Sequence, residues 1–133
     1  MTPIKQTLFS DEKTGVVGNC LQACVASIID LPLESVPHFT WYMSEWANRL
    51  YMFLDQQGYK FNGCHNIRHD DGFWKRGFKG IDGYAIVGGS SPRGTWNGHA
   101  VIYKDGHPCF DPHPDNKFLT EVKDVYIIEK NNP

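Results

Sequence analysis

Asn19-Cys20-Leu21-Gln22-Ala23-Cys24-Val25-Ala26-Ser27-Ile28-Ile29-Asp30 is the stretch on which the reading of this chain turns. Asn19 is a residue type that caps helix N-termini, and the run from Cys20 to about Asp30 is helical in length. Its apolar residues fall on nearly every face, so the helix must be wrapped by other elements rather than lie on a surface. Leu31-Pro32 ends it. Upstream, Ser10 to Gly18 is polar and Gly-containing, hence a loop, and Thr2 to Phe9, with Ile4, Leu8 and Phe9, predicts an edge strand.

Downstream, Leu33 to Val36 adds one short turn. Thr40 is placed to cap a second helix from Trp41 to about Gln57, closed by Gly58. Trp46, Leu50, Phe53 and Leu54 form an amphipathic stripe along it. Tyr59 to Phe61 reads as a short strand, and Cys64 to Gly80 follows no period. Tyr84 to Val87 is a short apolar strand, Gly88 to Gly98 a Gly- and Ser-rich loop, and His99 to Tyr103 a β-rich run. Asp105-Gly106 then predicts a hairpin with His107 to Asp111 returning antiparallel. Val125 to Ile128 is the last strand. Helices first and antiparallel strands afterwards give an α+β fold, read as a single domain over residues 1–133.

Composition narrows the function. The chain has 133 residues, of which 41% are hydrophobic and 21% charged, enough apolar content for a core. Thirteen Lys and Arg against fifteen Asp and Glu leave a net charge of −2. That balance offers no basic stripe for nucleic acid. Eight Phe, six Tyr and four Trp must fill the core or line a cleft. No run approaches the ~20 apolar residues of a membrane span, and Met1 to Gly15 carries no apolar signal segment. A reducing, cytoplasmic location is therefore expected. There the four cysteines read as thiols, metal ligands or a nucleophile rather than as two disulfides.

Cys20 stands at the predicted start of a buried helix, where unpaired N–H groups and the macrodipole favour a thiolate. Gly15-Val16-Val17-Gly18 before it allows a backbone to pass close to a bound substrate. A small buried cysteine in the core is the competing reading. His99 opens a strand after Gly98, and Asp111 follows across the predicted hairpin, so the two stand opposite or nearly so. A nucleophile, a base and a group that orients the base make the set that thiol catalysis needs.

Gly18-Asn19-Cys20-Leu21-Gln22-Ala23-Cys24 resembles the start of the central helix in papain-like cysteine peptidases, particularly the bacteriocin-processing group. His99-Ala100-Val101-Ile102-Tyr103, Asp105-Gly106 and Asp111-Pro112 look like that group's His-strand, hairpin and Asp-Pro. The chain is also similar to a set of small phage and bacterial proteins, through Gln6-Thr7, Val36-Pro37-His38-Phe39, Ser91-Pro92-Arg93-Gly94 and Asp111-Pro112-His113-Pro114. That second likeness brings no substrate with it, and it implies a phage-encoded protein of the host cytoplasm.

The first resemblance implies a papain-like fold with Cys20 as nucleophile, His99 as general base and acid, and Asp111 as orienter. It also implies an oxyanion hole made from an upstream glutamine and the nucleophile's own N–H. Gln6 is the only upstream glutamine. Its distance from Cys20 exceeds the family's, so Ser10 to Gly15 must bulge out, and Asn19 is the alternative donor. The expected reaction is hydrolysis of a peptide, isopeptide or side-chain amide through a thioester, with no cofactor. The substrate is then a peptide, a protein or a small amide. Trp74, Trp96, Gly98 and the Ser90 to Asn97 loop are candidate cleft walls, and Arg93 is a candidate anion receptor.

Other readings compete. The same thioester supports acyl transfer, and the same fold supports a catalytically silent interaction module of phage and host. A zinc-stabilised domain would draw on Cys20, Cys24, Cys64, His65, His69 and Cys109, but the paired short spacings of structural zinc are missing. A zinc-deaminase signature needs a Glu where Val101 stands and a Cys where Pro112 stands. His38 and His107 read as structural or surface, and His113 as the histidine able to approach the site.

Overall fold

The burial predicted for the Cys20 helix dictates the architecture. In the computed structural model, which describes residues 1–64, 82–94 and 97–131, helix α1 spans Cys20–Ile29 and every one of its residues except Gln22 is buried. It ends at Ile29 because Asp30 adopts a left-handed conformation (φ 58, ψ 41) and returns its N–H to Ala26 O. Ser27, the one hydroxyl in this apolar helix, donates to Ala23 O at 2.7 Å. Its oxygen accepts the Ile4 N–H at 2.9 Å, so no polar group is stranded.

The second helix begins later than its stripe suggests. Residues Phe39–Glu45 form a 3₁₀ segment interrupted at Met43 (φ 53, ψ −120), and α2 proper runs Trp46–Gln56. Thr40 does not cap it; its hydroxyl donates to Gly18 O at 3.0 Å, tying this segment to the turn before α1. The stripe itself is where the period puts it. Leu50 and Leu54 are fully buried, and Trp46 and Phe53 pack against the same core.

Both helices rest on a five-stranded antiparallel sheet of β1 (Tyr59–Cys64), β2 (Tyr84–Ser90), β3 (His99–Lys104), β4 (His107–Phe110) and β5 (Glu121–Lys130). The spatial order is β1-β5-β2-β3-β4, so the last strand in sequence lies inside the sheet. The β3–β4 turn takes left-handed values at both Asp105 (φ 50) and Gly106 (φ 82), as a tight hairpin requires. Alternation then splits β3 between two apolar layers. Ala100 and Ile102 join the cluster beneath the helices, whereas Val101 and Tyr103 join a second cluster with Val87, Leu119, Val122 and Val125.

Three expectations change. Thr2 to Phe9 is not a strand. Its backbone is taken up by the helix and by a distant loop, through Thr2 N–H to Ser27 O, Ile4 N–H to Ser27 Oγ and Gln6 N–H to Pro112 O. Gly88 to Ser90, expected in a loop, continue β2 in its pairing with β5, where Gly89 is packed too closely to carry a side chain. A Cβ on Gly89 would stand 1.8 Å from Glu121 O. β5 begins at Glu121 rather than Val125. Trp74, Trp96, His65 and His69 lie outside the described residues.

Candidate active site

The site is assembled from three parts of the chain: the start of α1, the start of β3, and the segment after β4. Cys20 is the first residue of α1, so its backbone N–H has no partner within the helix. His99 is the first residue of β3 and Asp111 lies just past the end of β4. Cys20, His99 and Asp111 are 8%, 6% and 1% exposed, so the three polar groups must satisfy one another.

They do. His99 Nε2–H donates to Asp111 Oδ1 at 2.7 Å. The ring's other polar neighbour is the Cys20 thiol. Burial pushes the imidazole pKa down, but the hydrogen bonds to Asp111 and Cys20 and their charges outweigh it and raise it from 6.5 to about 9. For Asp111, burial acts upward. The bonds from His99, the His113 N–H and the Phe118 N–H hold its carboxyl below the usual range all the same. His99 is thus strengthened as a base, and Asp111 carries three donors, the His99 ring N–H, the His113 N–H at 2.9 Å and the Phe118 N–H at 2.8 Å.

Cys24, one turn along, differs in kind. It is fully buried and its thiol contacts Ala100 O at 3.5 Å. Burial, then the charges of Cys20 and Asp111, push its pKa well up. It is a core residue.

Gln6 lies beside Cys20, lining a cavity of about 60 Å³ together with Phe9, Arg93, His99 and His113. Its Nε2 donates one hydrogen to Leu8 O at 2.8 Å, and its Oε1 is buried without a hydrogen-bond partner among the described residues. The expected bulge is present: Asp11 and Val16 bridge, closing a small turn that carries the extra residues. Asn19, the alternative donor, is spent elsewhere. Its Oδ1 accepts the Thr7 and Leu8 N–H groups at 3.0 and 2.8 Å, and its Nδ2 donates to Thr7 Oγ1 and Gln22 Oε1. Asn19 occupies the N-cap position without a side-chain cap bond and clasps the N-terminal arm against α1.

On the other side of Cys20 and His99 opens a larger cavity of about 540 Å³, lined among others by Leu21, Met43, Trp46, Ile86, Lys123 and Tyr126. Gly18 and Gly98 border both cavities. A Cβ on Gly98 would meet Gly89 O at 2.9 Å, and one on Gly18 would meet Ser10 Oγ at 2.8 Å, so neither position tolerates a side chain without a local shift.

Arg93 reaches the small cavity already engaged: its Nη1 bridges both Asp115 carboxylate oxygens at 2.9 and 2.8 Å. Asp115 in turn meets His113, whose ring lies 6.2 Å from that of His99. Burial, then the Arg93 charge, lower the His113 pKa. The sequence places Trp46 only in the amphipathic stripe and assigns Met43, Lys123 and Tyr126 no part in a cleft. Cys109 is exposed, and among the described residues no three His, Cys, Asp or Glu side chains cluster as metal ligands. No single helix there is long and apolar enough to cross a membrane. Comparison with protein-family models, curated proteins and solved structures finds no match, so the chemistry is read from this geometry alone.

Proposed function

We propose that the chain is a cysteine-dependent hydrolase of papain-like fold, cleaving an amide bond through a thioester. The observation that carries this reading is the buried, continuous Cys20–His99–Asp111 chain at the junction of two cavities. A core cysteine beside a satisfied histidine needs neither an oriented carboxylate nor a cleft on both sides.

In this reading Cys20 gives its proton to His99 Nδ1, and the thiolate attacks the carbonyl carbon of an amide whose acyl portion lies in the larger cavity. The negative charge on the carbonyl oxygen is met by the Cys20 N–H and by the uncommitted Nε2 hydrogen of Gln6. His99 then protonates the departing nitrogen as the C–N bond breaks, leaving a thioester on Cys20. Water, deprotonated by His99, attacks that thioester; the C–S bond breaks, the acid leaves, and the thiol–imidazole pair is restored. Asp111 holds the ring in the tautomer that presents Nδ1 to sulfur throughout.

Site-resolved alkylation with iodoacetamide between pH 5 and 9, read by peptide mass spectrometry, tests the reading. Exposed Cys109 serves as the internal reference thiol. Cys20 is expected to react at pH 6 while Cys109 is slow and Cys24 silent. A Cys20 profile that follows that of Cys109 sinks the mechanism.

A further inference from the structure

The N-terminal arm and the segment after β4 are far apart in sequence, yet two adjacent arm residues capture three successive carbonyls of that segment. The Lys5 ammonium donates to Asp111 O at 2.9 Å, to His113 O at 3.3 Å and to Asn116 Oδ1 at 2.8 Å. Gln6 N–H takes the carbonyl between them, Pro112 O, at 3.0 Å. An ammonium has three protons, and Lys5 has three acceptors for them. Its charge also stands 4.8 Å from the centre of the Phe110 ring, at the end of β4.

What Lys5 holds is irregular backbone. Asn116 and Phe118 both take left-handed values (φ 55 and 60), a conformation that side-chain-bearing residues adopt only when their surroundings impose it. The same segment aims the Asp111 carboxylate at His99 and returns the His113 and Phe118 N–H groups to that carboxylate. Meanwhile the residue after Lys5 sends its side chain into the small cavity beside Cys20. One cation thus fixes the carboxylate that orients the base and the arm that carries the oxyanion donor.

We infer that Lys5 is a positioning residue of the catalytic site, acting through Asp111 and Gln6 without touching substrate. The inference rests on the proposed role of Cys20, and its test separates the two.

The test compares Cys20 alkylation in the full chain for wild type, Lys5→Met and Lys5→Arg at pH 6 and pH 9, with melting temperatures measured alongside. Methionine keeps the stem over Phe110 and removes all three donors; arginine keeps the charge and donors. In Lys5→Met the pH 6 rate should fall about tenfold, the equivalent of one pKa unit in the thiol–imidazole pair. The pH 9 rate, where an ordinary thiol is already largely ionised, should change less than about twofold. Lys5→Arg should recover most of the low-pH reactivity. A Lys5→Met protein with a lowered melting temperature and an unchanged ratio of the two rates would mean a structural tie only, overturning the inference. So would an arginine variant no better than methionine with both folded by circular dichroism. If wild-type Cys20 itself lacks low-pH reactivity, the nucleophile reading fails and Lys5 loses its role with it.

Discussion

Replacing Asp111 with asparagine preserves the side chain's shape and removes its charge, and the three donors converging there make the outcome calculable. Oδ1 takes the His99 and His113 N–H groups, and Oδ2 takes the Phe118 N–H. Asparagine has one oxygen for them. If that oxygen stays on His99, the new NH₂ confronts the Phe118 N–H. If it turns, the imidazole must move its proton to Nδ1, the atom meant to accept from Cys20. Either way His99 loses the carboxylate that helps hold its pKa at about 9 against burial. A rise from 6.5 to about 9 corresponds to about 3 kcal/mol favouring the folded protein with the ring protonated.

The folded value is the higher one, so this stabilisation is complete below pH 6.5 and lost as pH rises through about 9. Asp111, with its lowered value, contributes above the ordinary carboxylate range and is fully engaged throughout that window. The variant's deficit should therefore be largest near pH 6 and narrow toward pH 10. The narrowing is up to about 3 kcal/mol, roughly 10 °C in Tm for a chain of this size. A pH-independent remainder of about 1–3 kcal/mol reflects the stranded amide. Thermal unfolding of both proteins by circular dichroism at pH 6, 8 and 10 measures this directly. An equal gap at pH 6 and pH 10 would refute the coupling of His99 to Asp111.

Cys20→Ala should abolish turnover and leave Tm within a few degrees of wild type; a fully active alanine variant excludes the thioester. Gln6→Ala should lower kcat about 10²-fold through loss of an oxyanion donor, while Cys20 stays reactive toward iodoacetamide at pH 6; loss of that reactivity instead would make Gln6 part of thiol activation. Asn19→Ala strands the Thr7 and Leu8 N–H groups and should cost about 2–4 kcal/mol, read as a drop in denaturation midpoint; a change under half a kilocalorie would contradict the clasp.

How much the sequence disclosed depended on whether a feature was local. The α1 helix was legible because an apolar run of helical length admits one structure, and the β3–β4 hairpin because Asp105-Gly106 satisfies two left-handed positions in succession. That hairpin brought His99 to Asp111 almost by itself. The N-terminal arm was misread because Ile4, Leu8 and Phe9 carry strand-like composition, whereas Ser27, which takes the Thr2 and Ile4 N–H groups, and Pro112, which takes that of Gln6, lie far along the chain. Asn19 looks like a cap from its neighbours; only the folded arm reveals that its carboxamide faces Thr7 and Leu8. Lys5 left no local signal, since a lysine in a polar segment reads as solvated until the segment after β4 is set against it.

The sheet order has a consequence for when this chemistry exists during the life of a chain. Cys20 precedes β5 in the chain, and β5 is inserted between β1 and β2, both made before it. Until it arrives those two strands lack their common neighbour, and the floor beneath α1 is incomplete. A ribosome-bound fragment ending before Glu121 therefore has no complete sheet to hold His99 and Asp111 against Cys20. The proposed thiol chemistry is thus timed by topology: its site closes only when a strand that follows Cys20, His99 and Asp111 in the chain takes its place inside the sheet.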